Sequence, residues 1–245
     1  MIPPTSIDGT DITGATIDGT DVQEITVDGD VVFSATNIPQ DFFAKYEFEG
    51  DVLDSSGNGR HLTDNNGGKF ISGKVGQAVD FDGTGGYLEA PWQFDDTDDF
   101  TITFWLGHRS FLGDFTTLIQ QRDDFTTMDW YLIHDNGNNE LNTGAGEELG
   151  FSSIFSFSDG TTTHLTYRKD GDNYQLIYDA DTSSPEINVT YTGGWTTSEN
   201  VYIGSDDSSG INLMNDNLDA FIDEMYIYDR ALSNAEIQTI YNEQN

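Results

Sequence analysis

The chain has 245 residues, enough for one sizeable core or for one domain with an appendage. Its 44 acidic side chains outweigh 9 basic ones to give a net charge of −35, yet 36% of residues are apolar and 13% aromatic, which argues for packing and against disorder. Such a balance excludes binding along nucleic-acid phosphates, no apolar run is long enough to span a bilayer, and the absence of cysteine excludes disulfides and thiolate sites.

Among the acids, 32 Asp outnumber 12 Glu. Many short carboxylates with few lysines suit a surface whose self-repulsion is screened by concentrated salt, so the composition reads as that of a halophile. Met1 to Ser6 have neither a basic nor an apolar region and do not read as a secretory signal.

The first 34 residues form a region of their own. Ile7-Asp8-Gly9-Thr10-Asp11, Ile17-Asp18-Gly19-Thr20-Asp21 and Val27-Asp28-Gly29-Asp30 repeat one pattern at ten-residue spacing. Asp-Gly between β-formers predicts a two-residue hairpin turn, which needs positive φ at both positions. Thr20 to Val27 is long enough for a strand, but Val22 does not alternate with Ile25 and Val27, which points to a bulge or a register change. With seven acids, no base and few large side chains, this arm cannot bury a core of its own. It needs a partner, a neighbouring copy or the main domain, unless it is simply a solvated acidic arm. Ser34 to Gln40 reads as a linker, so the expected division is an arm over 1–38 and a main domain over 39–245.

From Asp41 onward the chain reads as strand after strand: 43–49, a turn over 54–61, then 78–83, 86–90, the well-alternating 100–106, 117–121, 129–134 and 152–157. A hairpin over 164–178 around Asp170-Gly171-Asp172 and a strand over 200–204 follow. Short strands between Gly and Asp turns predict an all-β protein, a two-sheet antiparallel sandwich. The chain closes with a strand over 220–228. Phe221, Asp223, Met225 and Ile227 are expected on one face, and Ile222, Glu224, Tyr226 and Tyr228 on the other. A short C-terminal helix comes next, with Ser233 as N-cap, Glu236 completing a capping box, and Leu232 and Ile237 as a hydrophobic staple.

The order of these pieces carries a resemblance. Tyr46-Glu47-Phe48-Glu49-Gly50, Asp54-Ser55-Ser56-Gly57-Asn58-Gly59, Val79-Asp80-Phe81-Asp82-Gly83, Phe100 to Trp105, Val201 to Ser205 and Ile222-Asp223-Glu224 occur in the order found in laminin-G-like jelly rolls. From Lys45 to Asn242 the chain resembles that group of the concanavalin A-like lectins and glucanases, which implies a jelly-roll sandwich. The Val-Asp-Gly arm in turn resembles N-terminal parts of structural proteins in tailed viruses, including those of haloarchaea.

Glucanases of this fold group use a Glu-x-Asp-x-x-Glu strand, which the chain matches only loosely at Glu49-Gly50-Asp51-Val52-Leu53-Asp54, with Asp in place of the last Glu. His61, His108, His134 and His164 have no ligand spacing, and the expectation is a non-enzymatic protein. Related domains carry a structural calcium on the convex side. The resemblance therefore implies a Ca²⁺ site using Asp223, Gly83 and Glu49, against the alternative that Asp223 caps a turn. The loop from Asp54 to Gly59 mimics a calcium loop, but Asn65 stands where a bidentate acid belongs, so it reads as a solvated turn. For sugar stacking the candidates are Trp92, Trp195 and Trp130, with Asp123 and Asp124 for hydroxyls.

The sequence reading is a virion surface protein of a halophilic virus: a head turret, decoration or tail-fibre subunit. It would be joined to other virion proteins through 1–38, form a homo-oligomer, and face cell-surface glycans, with neither nucleic-acid binding nor membrane insertion. The alternatives are a free carbohydrate-binding module or adhesin of a halophilic cell and, more remotely, a degenerate glycosidase.

Overall fold

The computed structural model describes residues 6–7, 10–11, 16–17, 20–21, 24–27, 30–34, 37–111, 115–121, 130–135, 140–145, 148–152, 161–195, 200–204 and 217–245. The chain divides into two compact units, Met1–Pro39 and Gln40–Asn245.

The first unit contains three two-stranded antiparallel sheets: β1 (Ser6–Ile7) with β2 (Thr10–Asp11), β3 (Thr16–Ile17) with β4 (Thr20–Asp21), and β5 (Glu24–Val27) with β6 (Asp30–Ser34). Ile7 pairs with Thr10, Ile17 with Thr20 and Val27 with Asp30. The Asp-Gly residues themselves and Val22 lie outside the described residues. The register shift in this region falls between Ile25 and Thr26.

The second unit is a two-sheet antiparallel sandwich, as the strand pattern predicts. Its strands are β7 (Ala44–Tyr46), β8 (Thr63–Asn65), β9 (Lys69–Ser72), β10 (Gln77–Asp82), β11 (Tyr87–Ala90), β12 (Phe100–Phe111), β13 (Phe115–Gln121), β14 (Trp130–Asp135), β15 (Glu140–Ala145), β16 (Glu148–Ser152), β17 (Thr162–Asp170), β18 (Asn173–Tyr178), β19 (Ile187–Thr190), β20 (Val201–Ile203) and β21 (Leu218–Tyr228). One sheet runs β19-β18-β17-β12-β21-β10-β9 with β7 also on β21; the other runs β16-β15-β14-β13-β20-β11-β8. The hairpin between β17 and β18 pairs Asp170 with Asn173 across Gly171-Asp172, and Gly171 supplies a φ of +56°.

One expected strand ends elsewhere. Extension stops at Tyr46 because Phe48 has a φ of +57° and Gly50 of +91°. Of the strand expected over 152–157, Ser152 closes β16 and 153–157 lie outside the described residues.

Between the sheets, Phe100, Ile102, Phe104 and Leu106 of β12 meet Leu88, Ile119, Leu132, Leu165, Tyr167 and Ile203 in one apolar core. Burying each side chain of this size contributes about 1.5–3 kcal/mol. Strand β21 departs from its predicted faces. Its core residues are Leu218, Ala220 and Ile222, then Met225 and Ile227. The switch of parity occurs where Asp223 pairs with Trp105 but Tyr226 with Thr103, which leaves one extra residue on β21. Glu224 sits in this bulge with φ at +50°. There β21 also changes partner, from β10, where Ile222 meets Val79, to β7, where Met225 meets Tyr46.

The outer face of the larger sheet is covered by α1 (Asn234–Gln244). Its capping box is present: Ser233 Oγ accepts from the Glu236 amide at 3.3 Å, and Glu236 Oε2 accepts from the Ser233 amide at 2.7 Å. Leu232, Ile237 and Ile240 are buried. Trp105 Nε1 donates to Gln244 Oε1 at 2.8 Å while its ring stacks on Tyr241 at 5.5 Å. Among the described residues no helix is long and apolar enough to cross a membrane.

Scarce cations cross-link this unit. Arg230 bonds Asp41 and Glu236; Arg168 donates to the Leu232 carbonyl at 2.6 Å and to Asn234; Arg109 joins Asp80 to Asp219. Lys169 donates to the Asp98 carbonyl at 2.8 Å, and Lys74 lies over the Trp105 ring and donates to Asn245. Arg60 covers the Phe43 ring, Lys45 pairs with Glu47, and Lys69 pairs with Asp82.

Candidate functional site

The seven-stranded sheet alternates sharply. Leu88, Ala90, Ile119, Trp130, Leu132, Val201 and Ile203 point into the core. One register row on the opposite face runs across six strands: Thr63 beside Glu89, Glu89 beside Tyr202, Tyr202 beside Gln120, Gln120 beside Tyr131 and Tyr131 beside Gly144. Glu89 is half-buried, and its Oε1 accepts from Asn200 Nδ2 at 2.8 Å. Tyr87, two residues before Glu89, meets the Tyr202 ring edge-on at 5.9 Å. Toward the middle of the sheet Gln120, Tyr131 and Tyr202 are buried, so the accessible part of the row is its β11 edge, Glu89 with its neighbour Tyr87. Gly144 is required beside Tyr131: a Cβ would stand 2.3 Å from the Tyr131 ring, so only glycine lets that ring lie along the sheet.

Chemically this face offers aromatic rings interleaved with a carboxylate and two carboxamides. That is the composition of a surface that reads a polyhydroxylated ligand, with apolar ring faces for contact and a few fixed polar groups for orientation. Among the described residues of the row, Glu89 is the one carboxylate, whereas retaining hydrolysis uses two at about 5 Å. Glu49 and Asp51 do not supply such a pair. They lie in the bend after β7, where Glu49 accepts from the Gln77 amide at 3.1 Å and Asp51 from the Leu53 amide at 3.0 Å.

The tryptophans expected at a rim are core residues instead. Trp92 is 5% exposed, and its N–H donates to the Tyr46 hydroxyl at 2.9 Å. Trp195 is 4% exposed, faces the Phe94 carbonyl at 3.3 Å and packs on Tyr174. Trp130 is fully buried and donates to Gln121 Oε1 at 3.0 Å. Each indole has found its one acceptor inside the fold, which leaves no face for a sugar. Asp123 and Asp124 lie outside the described residues.

Of the expected calcium ligands, Asp223 and Glu49 are brought to one turn and Gly83 is not. Asp223 and Glu49 converge on the turn between β9 and β10: Asp223 Oδ2 accepts the amides of Lys74 and Val75 at 2.8 and 2.9 Å, and Glu49 that of Gln77. A Cβ on Gly73 would meet Asp223 Oδ2 at 2.4 Å, and one on Gly76 would meet Glu49 Oε1 at 1.7 Å, so both carboxylates press directly on the turn. Gly83 lies at the opposite end of β10, with its amide on the Leu218 carbonyl. Among the described residues no three His, Cys, Asp or Glu are grouped to hold a metal, and this trio does not fit a calcium ion. Asp54, read as part of a solvated turn, is buried. It takes the amides of Lys45, Ser56 and Arg60 at 3.0, 2.9 and 2.9 Å and thereby ties the loop to β7.

Three titratable groups are shifted beneath α1. Burial raises Asp223 to about 6, aided by the nearby Glu49 charge, and raises Glu224 to about 7, aided by Asp223. Burial alone lowers His164 to about 3, between the rings of Trp105 and Tyr241 at 5.1 and 5.7 Å.

The fold is shared with several binding domains. The binding domain of Paraclostridial Mosquitocidal Protein 1 superposes with a TM-score of 0.67 at 18% identity, over 83% of this chain and 52% of its own. Domain 4 of an extracellular arabinanase from Geobacillus stearothermophilus, solved with arabinotriose, gives 0.61 at 19% identity over 82% and 98%. The ligand-binding domain of botulinum neurotoxin serotype D, solved with N-acetylneuraminic acid, gives 0.63 at 12% identity over 84% and 52%. The chain thus spans about half the length of the toxin domains, and at these identities the likeness is one of fold. No curated protein matches the chain. A family model described as concanavalin A-like lectin/glucanases superfamily matches residues 82–238, more than half of the chain, and it covers β11 through the first five residues of α1. With the two-sheet jelly roll and its capped closing helix, this match shows that the chain belongs to the concanavalin A-like lectin/glucanases superfamily.

Proposed function

We propose that the jelly roll is a glycan-binding module, and that the chain is a non-enzymatic surface protein of a halophilic virus whose residues 1–38 join it to other virion proteins. The observation that carries the binding part is the β11 edge of the row, where half-buried Glu89 and Tyr87 stand beside Tyr202. Support comes from the solved relatives, one holding arabinotriose and another N-acetylneuraminic acid. The particle assignment draws on the repeated arm and the acidity.

Charge selects between those two ligand types. The chain carries −35, and the eight cations among the described residues are engaged by neighbouring groups as detailed above, which disfavours an anionic ligand such as a sialic acid. The ligand is accordingly an uncharged oligosaccharide of the arabinotriose kind. The likeness to the whole of the arabinanase domain favours a second reading, a free carbohydrate-binding module that uses the same face.

Binding is measured by titration calorimetry in molar salt, with neutral oligosaccharides and sialyllactose. Neutral ligands are expected to bind, and Glu89→Ala together with Tyr87→Ala to abolish binding without lowering the melting temperature. Sialyllactose binding as tightly as neutral sugars, or binding unchanged in the double variant, would overturn the assignment. Mass spectrometry of purified particles decides between virion protein and free module.

A further inference from the structure

We propose that Asn188 is a modification site: in the folded chain its amide nitrogen is placed to take an N-linked oligosaccharide from a lipid-phosphate-linked donor. Asn188-Val189-Thr190 is the one Asn-x-Ser/Thr triplet in the sequence. It lies on β19, where Asn188 and Thr190 are exposed, Ile187 is buried and Val189 packs partly buried against the core. Side chains two apart on a strand share a face. The amide and the hydroxyl that such a triplet requires therefore stand together in solvent.

The neighbours of Asn188 turn its nitrogen outward. Along one register row Arg168 is beside Gln175 and Gln175 beside Asn188. A guanidinium can only donate, and Arg168 Nε and Nη2 both bond Gln175 Oε1, the former at 2.9 Å. Arg168 is itself held by the Leu232 carbonyl and Asn234 at the start of α1. Gln175 must then direct its NH₂ group the other way, and Nε2 donates to Asn188 Oδ1 at 3.2 Å. With its oxygen taken, Asn188 presents Nδ2, which has no partner among the described residues. N-linked attachment replaces one hydrogen on that nitrogen and leaves the oxygen in place, so the bond from Gln175 survives modification.

The position also suits a covering group. Among the described residues β19 is the last strand of its sheet, and Ile187–Thr190 contain neither a charge nor a proline. An uncharged edge invites pairing with another strand, and a bulky hydrophilic glycan at Asn188 blocks that approach. The transfer balances: Nδ2 attacks C1 of the donor sugar, and the N–C bond forms as the C1–O bond to the lipid phosphate breaks. The phosphate leaves with the electron pair, and Nδ2 gives one proton to a base of the transferase. β19 and the β11 edge belong to different sheets, and this inference does not rest on the glycan-binding reading.

The test is incubation of the folded full chain with a purified single-subunit oligosaccharyltransferase that modifies the isolated 183–194 peptide, together with its polyprenyl-phosphate-linked oligosaccharide. Intact mass and peptide mapping read the result, and near-UV circular dichroism monitors the jelly roll. The wild type is expected to gain the mass of one oligosaccharide, on Asn188. Asn188→Gln and Thr190→Ala should lose that gain completely with an unchanged near-UV spectrum, whereas Thr190→Ser keeps it. Gln175→Glu retains the acceptor for Arg168 but draws Asn188 Nδ2 inward, so transfer should slow several-fold. A folded wild type left unmodified, transfer persisting in Asn188→Gln or Thr190→Ala, or Gln175→Glu modified as fast as wild type would each overturn the proposal. None of these readouts involves sugar binding at the β11 edge, so failure here leaves the binding assignment standing.

Discussion

Replacing Glu224 by Gln should remove one of two alkaline-sensitive contributions to the stability of the jelly roll, leaving that of Asp223. Glu224 occupies the bulge of β21 beneath α1, where it accepts a short hydrogen bond from the Tyr226 hydroxyl and one from Gln244 Nε2 at 3.4 Å. The charged groups acting on it are Asp223, Lys45 and Glu47. Burial raises its carboxyl from 4.5 to about 7, so the folded state holds the proton more tightly than the unfolded state does. The stabilisation is complete below pH 4.5 and is lost as pH rises through 7. The gap of 2.5 pH units, at about 1.4 kcal/mol each, amounts to about 3 kcal/mol. Gln keeps an acceptor for Tyr226 and a neutral side chain at every pH. Urea unfolding in constant molar salt should therefore show Glu224→Gln close to wild type at pH 4.5 and more stable by up to about 3 kcal/mol at pH 8. Parallel stability profiles for the two proteins between pH 4.5 and 8 would refute the assignment of this limb to Glu224.

On the acid side the sign reverses. His164 is held near 3 against an ordinary 6.5, so stability falls as pH drops through that window, and His164→Leu should recover about 3 kcal/mol at pH 4 in the same denaturation assay. Asp54→Ala strips the acceptor from three amides, and a loss of about 3–5 kcal/mol is expected, seen as a large fall in melting temperature and as proteolysis within 54–61. Ser233→Ala breaks the capping box and should cost about 1 kcal/mol, with Trp105 fluorescence altered because α1 seats Gln244 and Tyr241 on that indole.

Local signals were sufficient for much of the fold. The alternation of Phe100 to Leu106 and the sequence Leu232-Ser233 ahead of Glu236 and Ile237 specify a strand and a capped helix without reference to anything distant. The faces of β21 were not legible, because a bulge at Glu224 arises from pairing with two different strands on one side, and glutamate carries no mark of a left-handed backbone. The same limit explains the tryptophans. Loops after Pro91 and after Gly193-Gly194 look like rims, but whether an indole turns inward depends on acceptors such as the Tyr46 hydroxyl, 46 positions away in the chain. The outward direction of Tyr87 and Glu89 could have been read from Leu88 and Ala90 between them. Their grouping with Tyr202, Gln120 and Tyr131 follows only from strand order.

Because each of the four lysines is tied to a neighbouring group, amine chemistry is a poor handle on this protein. Acylation by an N-hydroxysuccinimide ester neutralises the ammonium, and at Lys74 and Lys169 that removes the contact with Trp105 and Asn245 or with the Asp98 carbonyl. Biotin or a fluorophore introduced this way would report on a loosened molecule, and immobilisation through lysine would do the same. The plentiful carboxylates invite carbodiimide coupling, and with no native cysteine a single thiol engineered on an exposed loop would give one defined attachment point.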